Sequence, residues 1–120
     1  MKKYLILYLS PTPAPDEMVG RSAEQQKAGT DAWKAWARKA GDALVELGAP
    51  LADVGGKKTQ ITGFSILEAN SPSEIDQLLR DHPHTKHPNA TIEVHEFIDV
   101  PGMSGGSGGS REREFAGSPR

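Results

Sequence analysis

The chain predicts an α+β domain in which four antiparallel strands carry two helices on one face. Three observations predict it. Short runs rich in apolar residues around 4–9, 60–69 and 91–98 have strand length and turn signals at their ends. A longer segment opening at Ser22 carries Trp33, Trp36, Ala37, Ala40, Leu44 and Leu47 at helical spacing. A second helix start stands at Ser71-Pro72-Ser73-Glu74, where serine caps, proline fits the first turn and glutamate closes the box.

The elements follow in order. Tyr4 to Leu9 is continuously apolar or aromatic, as in a central strand covered on both faces. Pro11, Pro13 and Pro15 end it, and Asp16-Glu17-Met18 fits one short helical turn. Ser22 with Gln25 three residues on forms a capping box for the long helix, which Gly48 and Pro50 terminate. Leu51 to Val54 reads as a short strand or an irregular edge, and Gly55-Gly56-Lys57-Lys58 as a turn. Gln60 to Ala69 is a strand whose Gly63 and Ser65 leave room above one side. The helix with Ile75, Leu78 and Leu79 ends before Pro83, and Thr91 to Ile98 is the last strand. There Ile92 and Val94 face one way, and Glu93, His95 and Phe97 the other.

Strand, helix, strand, strand, helix, strand is the order of the ferredoxin-like plait. Its second sheet face needs cover, and a second subunit supplies it, giving a homodimer built as a dimeric α+β barrel. The folded domain spans 1–103. From Ser104 the composition turns to glycine, serine and charge, so 104–120 reads as a flexible, disordered tail.

Composition narrows the function. The 120 residues have a net charge of -2 and no basic stripe, which argues against nucleic-acid binding. Cysteine is absent, so thiol catalysis, disulfides and thiolate zinc sites are excluded. The basic, apolar N-terminus mimics a signal peptide, but its apolar run is short and no small-residue cleavage site follows cleanly. No segment is long enough to cross a bilayer, and the cytoplasm is the expected compartment.

Chemistry concentrates in Asp81-His82-Pro83-His84-Thr85-Lys86-His87-Pro88, which holds three of the four histidines. Imidazole titrates near neutrality and can take and return a proton. Asp81 or Glu93 can orient a ring. If the loop folds over the sheet face of His95, then His82 or His84 approaches it. The candidate catalytic residues are therefore His95, His82, His84, Asp81 and Glu93. Phe97, Tyr8, His87 and Ser65 are candidate ligand contacts. The bland reading is a rigid, hydrogen-bonded surface turn between two prolines. His82, His84 and His87 also form an H-x-H-x-x-H pattern, but it lacks the helical register of a strong zinc motif, so no metal and no cofactor is assigned. Trp33 and Trp36 fit core or interface packing better than ligand stacking.

Several of these segments together resemble the YCII-related family, which includes YciI-like and DGPF-domain proteins. The resemblance runs from about Lys3 to Met103. Lys3-Tyr4-Leu5-Ile6-Leu7-Tyr8, Trp33-Lys34-Ala35-Trp36 leading to Leu47-Gly48-Ala49-Pro50-Leu51, and Thr62-Gly63-Phe64-Ser65-Ile66-Leu67-Glu68-Ala69 carry it, as does His82-Pro83-His84 through Ile92-Glu93-Val94-His95-Glu96-Phe97. It implies a dimeric ferredoxin-like α+β barrel. In some relatives a His-Asp pair is proposed as catalytic, and one branch resembles dehydrochlorinases of chlorinated aromatic rings. Asp81 is the nearest match to that aspartate, with His82 inserted before Pro83. The early helical histidine has no counterpart between Arg21 and Ala32, and the DGPF signature is missing. The expected function is binding of a small molecule in a polar pocket at the dimer interface. The alternatives are a small-molecule enzyme using histidine-carboxylate chemistry, lyase-like or dehydrochlorinase-like, and a structural dimer with an incidental pocket.

Overall fold

The computed structural model describes residues 1–102. The flexible tail read at 104–120 lies outside the described residues. The elements are β1 (Lys2–Leu9), α1 (Ala14–Val19), α2 (Ala23–Ala40), β2 (Leu44–Glu46), β3 (Ile61–Ala69), α3 (Pro72–Leu79) and β4 (Thr91–Glu96). Single 3-10 turns occupy Gly41–Ala43 and Pro83–Lys86. The sheet order is β2-β3-β1-β4, with every pairing antiparallel. This is the ferredoxin-like plait.

Alternation along the strands separates two layers. Tyr4, Ile6 and Tyr8 of β1 and Ser65, Leu67 and Ala69 of β3 are buried on the helix side. They meet Trp36, Ala40 and Ile75 in one core, with Trp33, Leu78 and Ile92 packed against it. The Trp36 indole N–H donates to the Leu78 carbonyl at 2.8 Å, which ties α2 to α3 and satisfies a polar atom that burial would otherwise strand. Leu5, Leu7 and Leu9 point to the opposite face, where the register sets Leu5 beside His95 and Leu7 beside Glu93.

Both helix caps form. Ser22 accepts from the Gln25 amide at 3.1 Å while the Gln25 side chain accepts from Ser22 N–H at 2.9 Å. Ser71 accepts from the Glu74 amide, whereas the Glu74 carboxylate takes the Asn70 N–H instead of its cap residue's.

Two expectations are corrected at the sheet edge. The long helix ends at Ala40, not near Leu47, and the second strand is Leu44–Glu46, not Leu51–Val54. Gly41 is the reason: at φ 58° and ψ -129° it takes a conformation open almost only to glycine, and its N–H closes on the Ala37 carbonyl. Leu44 and its neighbours are thereby released to pair with β3. Past Gly48 the edge continues irregularly, through the Ala49 carbonyl to Phe64 N–H and Leu51 N–H to the Thr62 carbonyl.

Candidate functional site

The histidine segment packs against the helix face of the sheet. Asp81, in the left-handed region at φ 63°, reverses the chain after α3 and turns His82 inward. Pro83 starts the 3-10 turn, so His82 and His84 project from its first residues.

His82 is fully buried. Its Nδ1 accepts the His84 backbone N–H at 2.9 Å, so the neutral ring carries its proton on Nε2. That nitrogen is sealed and has no hydrogen-bond partner. Around the ring stand Trp36, Trp33 and Tyr8, with centroids 4.4, 4.5 and 4.8 Å away, the two indoles steeply inclined. Burial first, and neighbouring His84 second, hold the His82 pKa down to about 3. His82 is thus a neutral core residue, not a proton shuttle.

His84 differs. Its Nε2 lies 2.8 Å from the Leu9 carbonyl and 3.0 Å from the Thr91 carbonyl. Carbonyls only accept, so Nε2 carries a proton and donates to both, bridging the ends of β1 and β4. Nδ1 has no hydrogen-bond partner among the described residues, and the residue as a whole is 7% exposed. The ring lines an open groove of about 1300 Å³ between α2, the Pro83–Lys86 turn and the Leu47–Pro50 edge. Tyr8, Trp33, Asp81, His87 and Arg21 line the same groove. A smaller hollow of about 390 Å³ at the C-terminal end of α2 contains no histidine.

The expected residues divide between the two faces. His84, His87, Asp81 and Tyr8 share the groove. His95 and Glu93 pair at 3.1 Å on the other face, both half exposed, and Phe97 beyond them is also exposed. The loop therefore does not bring His82 or His84 to His95: the sheet stands between them. Ser65 does not line the groove. It is buried, accepting from Tyr8 OH at 2.8 Å and donating to the Leu47 carbonyl at 2.6 Å. Burial pushes the Tyr8 phenol up to about 12, partly offset by Ser65, so it remains a donor committed to this relay. The H-x-H-x-x-H nitrogens do not converge, and among the described residues no group of three or more metal-ligating side chains gathers.

The residue that sequence reasoning missed is Arg21, just ahead of the α2 cap. Its Nη2 lies 3.5 Å from Glu17 and 3.5 Å from His87 Nε2. Guanidinium only donates, so His87 Nε2 is the acceptor. Gly29 within α2 was the available signal, since glycine inside a helix asks for a packing reason.

No family model and no curated protein matches the chain. Among solved structures, it is similar to 5-chloro-2-hydroxyhydroquinone dehydrochlorinase (TftG) from Burkholderia phenoliruptrix AC1100, in complex with 2,5-dihydroxybenzoquinone. The two are 21% identical, with a TM-score of 0.46, over 76% of this chain and 90% of that one. No helix among the described residues is long and apolar enough to cross a membrane.

Proposed function

We propose that this is a YCII-related protein that binds a small molecule in the groove between α2 and the Pro83–Lys86 turn. The observation that carries the reading is the fixed tautomer of His84. Two backbone carbonyls hold its Nε2 proton, which leaves Nδ1 as a directed acceptor in a groove walled by Trp33 and Tyr8. Such a ring recognises a ligand O–H or N–H, and the same atom can take a proton from a sufficiently acidic ligand. This reading places the site on the helix face, with Asp81 and His87 along its rim.

Phenol and anisole test it, because they share a ring and differ in a hydrogen-bond donor. NMR titration should shift the Trp33 indole and His84 ring signals, with phenol binding several-fold tighter. In His84→Ala the phenol advantage should vanish, one neutral hydrogen bond contributing about 1 kcal/mol. Shifts centred on His95 and Phe97 instead would refute this location. The enzyme reading uses the same residue: His84→Ala unties the Leu9 and Thr91 carbonyls and should lower the melting temperature, and below that temperature it would abolish turnover of a found substrate.

A specific observation favours a homodimer through the other face. Leu5, Leu7, Leu9, Phe64 and Ile66 form partly buried rows across β1 and β3, and no helix among the described residues covers them. A second copy laid on these rows would also enclose His95 and Glu93. Leu7→Glu puts a charge at the centre of the rows and should convert a dimer to a monomer in sedimentation equilibrium. An unchanged mass would remove the interface. A Leu7-dependent dimer whose groove binds neither probe would be the structural dimer with an incidental pocket.

A further inference from the structure

We infer that Arg21, steadied by His87 and Glu17, anchors a monoanionic carboxylate carried on a flat ring in this groove. The inference rests on the groove being the binding site and adds the chemical class of its ligand. Three observations carry it. The Arg21 guanidinium is only part-exposed, yet both of its polar contacts go to Nη2 and both lie at 3.5 Å, the long limit of a hydrogen bond. Among the described residues its Nε and Nη1 donors are uncommitted, and a planar guanidinium with free N–H groups matches a carboxylate.

Second, the guanidinium has a seat. A Cβ on Gly29 would meet a single neighbour, Arg21 Nη1, at 3.2 Å. Gly29 lies inside α2, where alanine is the better helix former and no positive φ calls for glycine. The missing side chain leaves room for the guanidinium against the helix. Third, the walls select shape. Asp16, Glu17 and Asp81 line the groove together with Arg21, Lys39 and Lys86, so its formal charges balance and the free guanidinium N–H groups, not a net field, fix where a carboxylate sits. Trp33, edge-on to Tyr8 at 4.9 Å, offers an aromatic wall beside this end.

The experiment uses the full chain at low ionic strength and pH 7, with benzoate, its neutral isostere benzamide, and inorganic phosphate, followed by NMR at Trp33 and His84. Benzoate should bind about ten-fold tighter than benzamide, and phosphate should compete poorly. Arg21→Gln should abolish the benzoate preference while benzamide still binds. Gly29→Ala should reduce the preference without lowering the melting temperature, because the helix gains a better former while the seat narrows. Equal binding of benzoate and benzamide by the parent overturns the anchor and leaves the groove standing. So does a preference that survives Arg21→Gln or is unmoved by Gly29→Ala. Phosphate competing as well as benzoate overturns the monoanionic ring class. If neither aromatic perturbs the groove, the binding site and the anchor fall together.

Discussion

Acidification from pH 7 to pH 5 should destabilise this protein, with His82 as a main cause. Its folded pKa is held at about 3, whereas the unfolded side chain titrates near 6.5. Below about 6.5 the unfolded chain binds a proton that the folded chain refuses, so folding stability falls as pH falls. The slope approaches about 1.4 kcal/mol per pH unit and flattens only near the folded value of about 3. Above neutrality the group is neutral in both states and contributes no slope. Urea denaturation at pH 7 and pH 5 measures the effect, and His82→Phe isolates it. The variant loses the acceptor for the His84 amide and so starts less stable, but its pH slope should be shallower than the parent's by up to about 2 kcal/mol across that interval. Parallel slopes would show that the ring is protonated or released in the folded protein.

Gly48→Ala should produce the larger loss at neutral pH. Gly48 sits at φ 88°, and a Cβ there would overlap the Phe64 carbonyl oxygen. The obstacle is backbone, so it cannot swing aside. Relief requires the Leu47–Leu51 edge to leave β3, breaking the Phe64–Ala49 and Leu51–Thr62 hydrogen bonds and the Ser65 bond to the Leu47 carbonyl. That last break strands a buried hydroxyl beneath Tyr8. A loss of about 3 kcal/mol or more is expected, from positive-φ strain and lost bonds together. Gly55→Ala is the control: it shares a positive φ of 71°, but its Cβ would meet open space. It should lose no more than about 1–2 kcal/mol, the strain alone. Similar melting temperatures for the two variants would remove the steric argument.

Much of the fold was legible because it rests on local rules. Ser22 and Ser71 cap where their neighbours predicted, and alternation along β3 and β4 assigned side chains to their faces, His95 included. The α2 boundary was not legible. Leu44 and Leu47 continue the helical spacing, and only the conformation at Gly41, together with a β3 edge awaiting a partner, diverts them into the sheet. The candidate site was half legible. The sequence marked the histidine cluster but could not say which face of the sheet the segment would approach.

By itself the sequence determined the alternation of helices and strands, the two serine caps, the facing of residues along β3 and β4, and the concentration of imidazoles after α3. These follow from contacts within a few residues, where backbone geometry leaves few choices. Tertiary structure alone decided that His82 is a sealed core ring, that two backbone carbonyls hold His84, that His95 stands across the sheet, and that Arg21 reaches His87. Residues distant in sequence made those decisions: Trp33, Trp36 and Tyr8 exclude water from one imidazole, while the Leu9 and Thr91 carbonyls orient the next. Burial and hydrogen-bond partners determine what a histidine can do, and neither is a property of its local sequence.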